Sequence, residues 1–316
     1  MSDITTVHSD IIQTHILTRL DGPALASAAL ATSHLSAEQH LWRQICAATW
    51  PSLSDPLAAA LVATFPGGHR SLFSDSFPSL QQQHASPPPK PRRSEPPEEV
   101  IWAVDIFYKG EPILSRAVRS ETRKGWFLCS PLWVELLGPS EVVPTPLKVD
   151  ESQWLSHLHD NLTLSWIIID PSSKRAANLS SGRAVAARRH WLTAELEVLY
   201  AVPLTEEVEC VIKVTCSGKM GGALHVREVS LAMEDAEGRH VSGGDSLVIL
   251  QDAIENGKRV KPDPAEALRS FDNFCSVKRE KRERRMRRDK AMDFLAMFVA
   301  FSVFATLFSF MAFSAF

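Results

Sequence analysis

The feature that most constrains this sequence is a run of 23 residues, 294–316, without a single charged side chain. Its polar groups are serine and threonine hydroxyls, which a helix satisfies by bonding them to its own carbonyls. As a helix the run is about 34 Å long, enough to cross a hydrocarbon core of about 30 Å. A soluble helix of this length normally carries a polar stripe, and this run has none. The run therefore predicts a single transmembrane helix and not a buried core helix.

A strongly basic segment precedes the apolar run. Residues 278–290 carry nine Lys or Arg and three Asp or Glu, whereas residues 1–277 have a net charge of −8. Short basic flanks stay on the cytoplasmic side of a membrane and attract anionic lipid. We therefore expect a single-pass C-terminal anchor in the bilayer, with the N-terminal bulk in the cytosol. The predicted membrane flank consists of Arg284, Arg285, Arg287, Arg288 and Lys290.

Composition excludes several other classes of protein. An acidic body with one basic segment argues against nucleic-acid binding, and a nuclear-localisation role for that segment requires that the apolar run is not inserted. The five cysteines are scattered and form no CxxC pair, which favours reduced thiols in the cytosol and no zinc site. Residues 1–10 are polar and lack the pattern of a secretory signal.

No arrangement of residues predicts catalysis. The sequence has no nucleophile elbow and no phosphate-binding loop. The pair His157 and His159, followed by Asp160, is expected on one face of a strand, but without a third spaced ligand it does not predict a metal site. We therefore expect a protein that is not an enzyme and that needs no cofactor or metal.

The part before the anchor is divided by a proline-rich segment, residues 81–99, which holds six prolines and little to bury. It is expected to be an extended linker that keeps the two sides from packing intimately. The predicted division places a helical module at 7–50, an extension at 51–80, a β-rich domain at 100–252, and a juxtamembrane helix at 253–290 that opens at Asp263-Pro264.

The β-rich domain is inferred from short apolar runs separated by turn signals such as Lys109-Gly110. Strands are predicted at 100–108, 125–129, 162–169, 191–202, 208–216, 223–233 and 246–250. About seven short strands favour an antiparallel sandwich or barrel, so the predicted fold class is α+β. Trp166 and Trp191 are expected in its core, and Cys210 and Cys216 on one sheet face.

Residues 7–46 resemble the F-box. The resemblance rests on Asp10-Ile11-Ile12, Ile16-Leu17 with Leu20, Leu25, and Leu41-Trp42-Arg43. Longer stretches, including DIIQTHILTRLDGPALASAAL, NLTLSWIIIDPSSKRAANLSS and RHWLTAELEVLYAV, resemble a family of plant F-box proteins. The sequence departs from the family pattern at Val7-His8, where Leu-Pro is common, and at His34, where Trp is common. Both departures weaken the expected contact with a partner.

The resemblance implies an adaptor that joins a target to a Skp–cullin–F-box ubiquitin ligase. A module of about forty residues buries too little surface to be stable alone, so a partner that covers its aliphatic face is expected. The expected interface with the Skp-type adaptor consists of Ile11, Ile12, Ile16, Leu17, Leu20, Leu25, Leu41 and Trp42.

Two alternatives remain open. In one, the chain is a membrane-anchored binding or scaffold protein with a degenerate F-box and a lectin-like β-sandwich. In the other, residues 7–46 form an ordinary helical subdomain that packs on the sandwich. The target of the β-rich domain, whether protein or glycan, is not specified by the sequence.

Overall fold

The computed structural model describes residues 39–81, 97–147, 150–218, 224–260 and 263–314. Within these ranges the chain forms a helical layer, two antiparallel sheets packed face to face, and a long C-terminal helix. The predicted α+β class, with its central antiparallel sandwich, is confirmed.

Seven α-helices lie in the described part of the chain: Gln39–Thr49 (α1), Pro56–Val62 (α2), Gly68–Ser76 (α3), Gly125–Cys129 (α4), Trp154–Asn161 (α5), Gly243–Asn256 (α6) and Pro264–Ser314 (α7). Short 3-10 helices at Pro51–Ser54 and Glu151–Gln153 lead into α2 and α5.

The strands of the first half are Ser79–Gln81 (β1), Glu99–Tyr108 (β2), Glu111–Glu121 (β3), Trp133–Glu135 (β4), Val143–Pro144 (β5) and Leu162–Asp170 (β6). Those of the second half are Arg175–Asn178 (β7), Ala186–Arg189 (β8), Leu196–Pro203 (β9), Val208–Gly218 (β10), Leu224–Asp235 (β11) and Lys258–Val260 (β12).

These strands form two main sheets and a ribbon. The four-stranded sheet has the order β3-β2-β6-β7, and the six-stranded sheet has the order β4-β11-β10-β9-β8 with β5 also paired to β11. β1 and β12 form a separate two-stranded antiparallel ribbon. A strand that follows the helical layer thus pairs with one that precedes α7.

β2 and β6 are the central strands of the four-stranded sheet and are buried on both faces. Trp102 and Trp166 face the core shared with the six-stranded sheet, whereas Ile101 and Ile167 face the helical layer. A strand covered on both sides needs apolar residues at consecutive positions. This requirement explains why both strands were readily predicted from the sequence.

The inner face of the six-stranded sheet supplies the other half of the sandwich core. Cys210 and Cys216 both lie on this face and are fully buried. Burial raises the pKa of the Cys216 thiol to about 12, and that of Cys210 is raised as well. Both are therefore protonated core residues at neutral pH.

Two predicted strands are helices. Residues 125–129 form α4 and residues 246–250 lie within α6. The Ser242 hydroxyl accepts a hydrogen bond from the Asp245 backbone nitrogen at 3.2 Å and so caps α6. The two helices pack closely, and a side chain at Gly243 would collide with Phe127. An apolar run of five residues does not distinguish strand from helix by itself.

Helix α7 begins where the sequence predicted. Asp263 caps it by accepting a hydrogen bond from the Ala265 nitrogen at 2.9 Å, and Pro264 occupies the first position. Phe274 is buried against the body of the protein, and the helix then continues without interruption to Ser314. By length and composition, it is the one described helix that is apolar enough to cross a membrane.

Candidate functional site

The helical layer covers the outer face of the four-stranded sheet. Trp42 and Trp50 both pack on Phe73, with ring centroids 5.5 and 5.4 Å apart. These rings lie in one apolar cluster with Ile101 and Ile169 of the sheet. The expectation that the proline-rich segment prevents intimate packing is therefore wrong for residues 39–77. The face of β2 and β6 that points away from the sandwich core is apolar, and these helices shield it from water.

A buried carboxylate ties this layer to β2. Asp105 accepts two hydrogen bonds from Ser52, one from the backbone nitrogen at 2.8 Å and one from the hydroxyl at 2.6 Å. Burial raises the pKa of Asp105, while the hydrogen bonds from Ser52 and Ser115 act in the opposite direction. These hydrogen bonds therefore fix the position of Ser52 over β2 and so orient the helical layer on the sheet.

A second polar contact joins the layer to β7 and β12. Arg175 donates two hydrogen bonds to Asp75, from Nε at 2.7 Å and from Nη2 at 2.9 Å. Arg259 donates to the carbonyl oxygens of Asp75, Ala176 and Ile254 at 3.1, 3.1 and 2.8 Å. Residues far apart in sequence are thus held together, and the helical layer and sandwich form one body.

On the opposite side of the sandwich, α7 crosses the outer face of the six-stranded sheet and leaves a groove of about 390 Å³. We call this cavity the outer-sheet groove. Its lining comprises Trp133, Arg188, Glu197, Leu199, Glu209, Val211, Lys213, Ser230, Ala232, Glu234, His240, Phe271, Cys275 and Lys278.

Trp133 is the main exposed aromatic of the groove, with 47% of its surface accessible. The Lys213 ammonium lies 5.8 Å from its ring centroid, and the His240 ring meets it edge-on at 6.2 Å. An exposed aromatic held in place by polar neighbours is typical of a binding surface.

Lys278 connects α7 to the acidic end of the groove. Its ammonium lies 2.5 Å from Glu234 Oε2 and 3.3 Å from Glu209 Oε1. Burial raises the pKa of Glu209 to about 7, although the nearby Lys278 favours its charged form. Glu209 Oε2 has no hydrogen-bond partner among the described residues. The groove therefore contains a carboxylate that is costly to ionise.

Three proteins of Arabidopsis thaliana are similar to this chain over most of its length. F-box protein At2g27310 is 43% identical over 279 residues, which cover 82% of this chain and 81% of the relative. F-box protein At3g44326 is 42% identical and covers 82% of this chain and 76% of the relative. Probable F-box protein At2g36090 is 42% identical and covers 87% and 83%.

The chain belongs to the plant F-box protein family. The predicted resemblance is thereby confirmed. No protein-family model matches the sequence, and no solved structure is significantly similar to it.

Six of the eight predicted interface residues of this F-box protein lie outside the described residues: Ile11, Ile12, Ile16, Leu17, Leu20 and Leu25. Leu41 and Trp42 are described and are buried, with 9% and 4% of their surface exposed. Their side chains contact the chain's own core. Val7-His8 and His34 also lie outside the described ranges.

The histidine pair of the F-box protein lies on helix α5 and not on a strand. His157 hydrogen-bonds the Tyr108 hydroxyl at 2.7 Å, whereas His159 contacts Asp160 at 3.0 Å. Positions two residues apart on a helix point in different directions. The described residues contain no group of three or more metal-ligating side chains.

The tryptophans show where sequence reasoning succeeded and failed. Trp166 is fully buried as predicted, and Trp154 is also buried. Trp191, predicted in the core, is 87% exposed because the strand starts only at Leu196. Trp133 was missed, since β4 has only three residues, too few for a recognisable sequence pattern.

The predicted membrane flank of the F-box protein lies on α7, where its residues are largely exposed. The sequence did not reveal that some cations of the basic segment, including Arg285 of this flank, pair with the protein itself. Lys281 pairs with Glu207 at 2.8 Å, and Arg285 lies 3.6 Å from Glu237. The pairing of the basic segment with loops of the six-stranded sheet requires three-dimensional information.

Proposed function

We propose that this protein is the substrate-recognition adaptor of a Skp–cullin–F-box ubiquitin ligase, held at a membrane by the apolar end of α7. Its partners are a Skp-type adaptor, through it a cullin, a target protein bound by the β-rich domain, and the lipid bilayer. It acts by binding and not as an enzyme, and nucleic acid is not among its ligands.

The observation that carries this proposal is the similarity to proteins named as F-box proteins over more than four-fifths of the chain. The aliphatic residues Ile16, Leu17 and Leu20 supply the apolar stripe that such a contact needs. A short helical module carrying this stripe gains stability when a partner covers it.

The junction between helices and sandwich supports the adaptor role mechanically. Ser52 with Asp105 and Asp75 with Arg175 hold residues 39–77 on the four-stranded sheet. The outer-sheet groove lies on the opposite side of the same body. A target held in the groove would therefore keep a fixed distance from the helical layer, which favours repeated transfer of ubiquitin to one region of the target.

The membrane part of the proposal is supported by the composition of α7. Its last turns carry no charge, and the most apolar window is not buried by any described part of the protein. The basic residues before it favour a cytosolic location for the sandwich, where ubiquitin ligases act on their targets.

The test is recovery of a purified Skp-type adaptor by the full chain. The double variant Ile16→Asp, Leu20→Asp places two carboxylates in the apolar stripe and should reduce recovery by at least about tenfold. Thr14→Asp, Thr18→Asp is the matched control, because the helical period places both threonines on the side of the helix away from Ile16 and Leu20. Equal recovery by wild type and the Ile16, Leu20 variant would refute the proposal.

A second candidate is a membrane-anchored binding or scaffold protein with a degenerate F-box. It is favoured by one observation, namely that Leu41 and Trp42 are committed to the protein's own core. In that case the purified complex would contain the target and lack the cullin.

A further inference from the structure

A second cavity lies where α7 leaves the body of the protein. It has a volume of about 260 Å³ and is lined by Lys281, Arg284, Arg285, Arg288 and Glu237. We call it the juxtamembrane pocket. The four cations recur at intervals of three and four residues, so they form one stripe on the helix. Three other cations of the segment, Arg282, Arg287 and Lys290, fall on other faces of the helix.

Two contacts with the six-stranded sheet's loops hold the pocket open. Lys281 pairs with Glu207 at 2.8 Å, and Arg285 lies 3.6 Å from Glu237, which itself forms one wall. The wall and the helix are thus parts of one folded body. An arginine stripe on a free helix would have no such opposing surface.

The other two cations are less engaged. Arg284 contacts Glu280 of its own helix at 3.3 Å and is 78% exposed in its side chain. Arg288 has no ion pair among the residues that the structure describes. Exposed pairs within a helix are worth only about 0.3–0.5 kcal/mol, so a ligand anion can displace the Glu280 contact. The pocket therefore offers the available guanidinium groups of Arg284 and Arg288 beside two cations, Lys281 and Arg285, that pair with the sheet's loops.

The distance along the helix axis between the pocket and the apolar run indicates which part of a lipid the pocket can reach. Arg288 lies six residues before Phe294, about 9 Å along the helix axis, and Lys281 lies about 20 Å away. The headgroup layer of a bilayer extends roughly 5–8 Å beyond the hydrocarbon on each side. The pocket thus begins just beyond the headgroup layer, above the phosphodiester of an ordinary phospholipid.

We propose that the juxtamembrane pocket binds an anionic lipid whose headgroup carries additional phosphate monoesters. Guanidinium groups bind phosphate oxygens in a bidentate geometry, and a monoester carries more negative charge than a diester. A headgroup that projects from the membrane reaches Arg284 and Arg285 as well as Arg288. This inference rests on the proposed membrane anchorage and assigns a specific lipid class to it.

The test uses the full chain in nanodiscs of phosphatidylcholine with either a bisphosphorylated phosphatidylinositol or phosphatidylserine, at equal total anionic charge. Retained lipid per protein is counted by native mass spectrometry after detergent extraction. Arg284→Gln, Arg288→Gln should reduce retention of the phosphorylated lipid by roughly tenfold. Neither residue pairs with the sandwich in the described structure, so the fold and the docked helix are preserved.

The matched control is Arg282→Gln, Arg287→Gln. It removes the same charge, and Arg287 pairs with Glu283 of its own helix as Arg284 does with Glu280. We expect retention within about twofold of wild type, because diffuse attraction to a charged membrane surface no longer acts once detergent has removed the bilayer. Glu237→Gln leaves the Lys281–Glu207 contact in place and keeps a side chain of the same size in the wall, but it frees Arg285 for the ligand and should therefore increase retention. A merely structural role of the helix would not produce that gain.

Equal loss in the two double variants, or equal retention of phosphatidylserine, would overturn the assignment. Tight binding of a soluble inositol bisphosphate, equal to that of the lipid, would also overturn it. Carbonate extraction of the vesicle-reconstituted chain tests the anchor separately. A chain released by carbonate refutes the anchor, whereas a resistant chain that fails the lipid comparison refutes the pocket alone.

Discussion

Ser52 donates two buried hydrogen bonds to Asp105, at 2.8 Å from its nitrogen and 2.6 Å from its hydroxyl. Ser52 belongs to the helical layer, and Asp105 lies in the middle of β2. The contact therefore bridges two parts of the chain that a proline-rich segment separates in sequence. Together with the shared apolar cluster and the Asp75–Arg175 contact, it joins the helical layer and the sandwich into one body.

Ser52→Ala should destabilise the full chain by about 1–3 kcal/mol, because one oxygen of a buried carboxylate loses its donor. Denaturant unfolding in detergent micelles, followed by tryptophan fluorescence, measures this loss. Hydrogen exchange should accelerate in α1–α3. Ser74→Ala changes an exposed serine of α3 and should stay within about 0.5 kcal/mol of wild type. Indistinguishable stability of the two variants would show that the bridge does not hold the layer.

Arg175→Lys should cost about 1 kcal/mol, because lysine keeps the charge but cannot form the bidentate contact with Asp75. Denaturant unfolding in detergent micelles measures this loss of stability. Arg119→Lys is the control, since Arg119 forms an exposed pair with Glu99 at 3.4 Å and such pairs contribute little. If the two substitutions have equal effects, the geometry of the Asp75 contact is not important for stability.

Stability should depend on pH through Glu209. Burial raises its pKa from an ordinary 4.5 to about 7, so the folded protein binds this proton more tightly than the unfolded chain. The stabilisation is present below pH 4.5 and is lost as pH rises through about 7. The stability of wild type relative to Glu209→Gln should therefore fall by roughly 3 kcal/mol across this interval.

The measurement is denaturant unfolding of both proteins at several pH values. Glu135→Gln removes an exposed carboxylate from the same sheet and controls for the loss of one charge. A constant difference between wild type and Glu209→Gln, or one that grows with pH, would contradict the assignment.

The sequence was informative where burial imposes a simple pattern. β2, β6, β10 and β11 were predicted because strands that are buried on one or both faces carry consecutive or alternating apolar residues. The start of α7 was predicted because a cap residue followed by proline is a local signal. Such features depend on neighbouring residues alone.

Other parts depend on contacts that are distant in sequence. β3 was missed because it is an edge strand with only one fully buried residue and several charged ones, although it pairs with β2 along its length. The approach of Asp75 to Arg175 joins residues 100 positions apart. Neither residue type nor spacing reveals that pairing. The groove around Trp133 likewise exists only because α7 folds back over the sheet.

Trp133→Ala should weaken target binding without affecting the ligase partner. An aromatic at the centre of a contact surface typically contributes about 2 kcal/mol or more, so capture of the target should fall by at least roughly tenfold. Proximity labelling from the full chain, with the proteasome blocked, measures capture. Trp126→Ala is the matched control, because Trp126 is 81% exposed and lies outside the groove. Unchanged labelling by Trp133→Ala would exclude the groove as the target site.

The most direct test of the adaptor account is the composition of complexes isolated with three full-length proteins while the proteasome is blocked. Wild type should recover the Skp-type adaptor, the cullin and the target together. Trp133→Ala should retain the ligase subunits and lose the target, whereas Ile16→Asp, Leu20→Asp should retain the target and lose the ligase subunits. Recovery of the target by wild type with no ligase subunit would contradict the account.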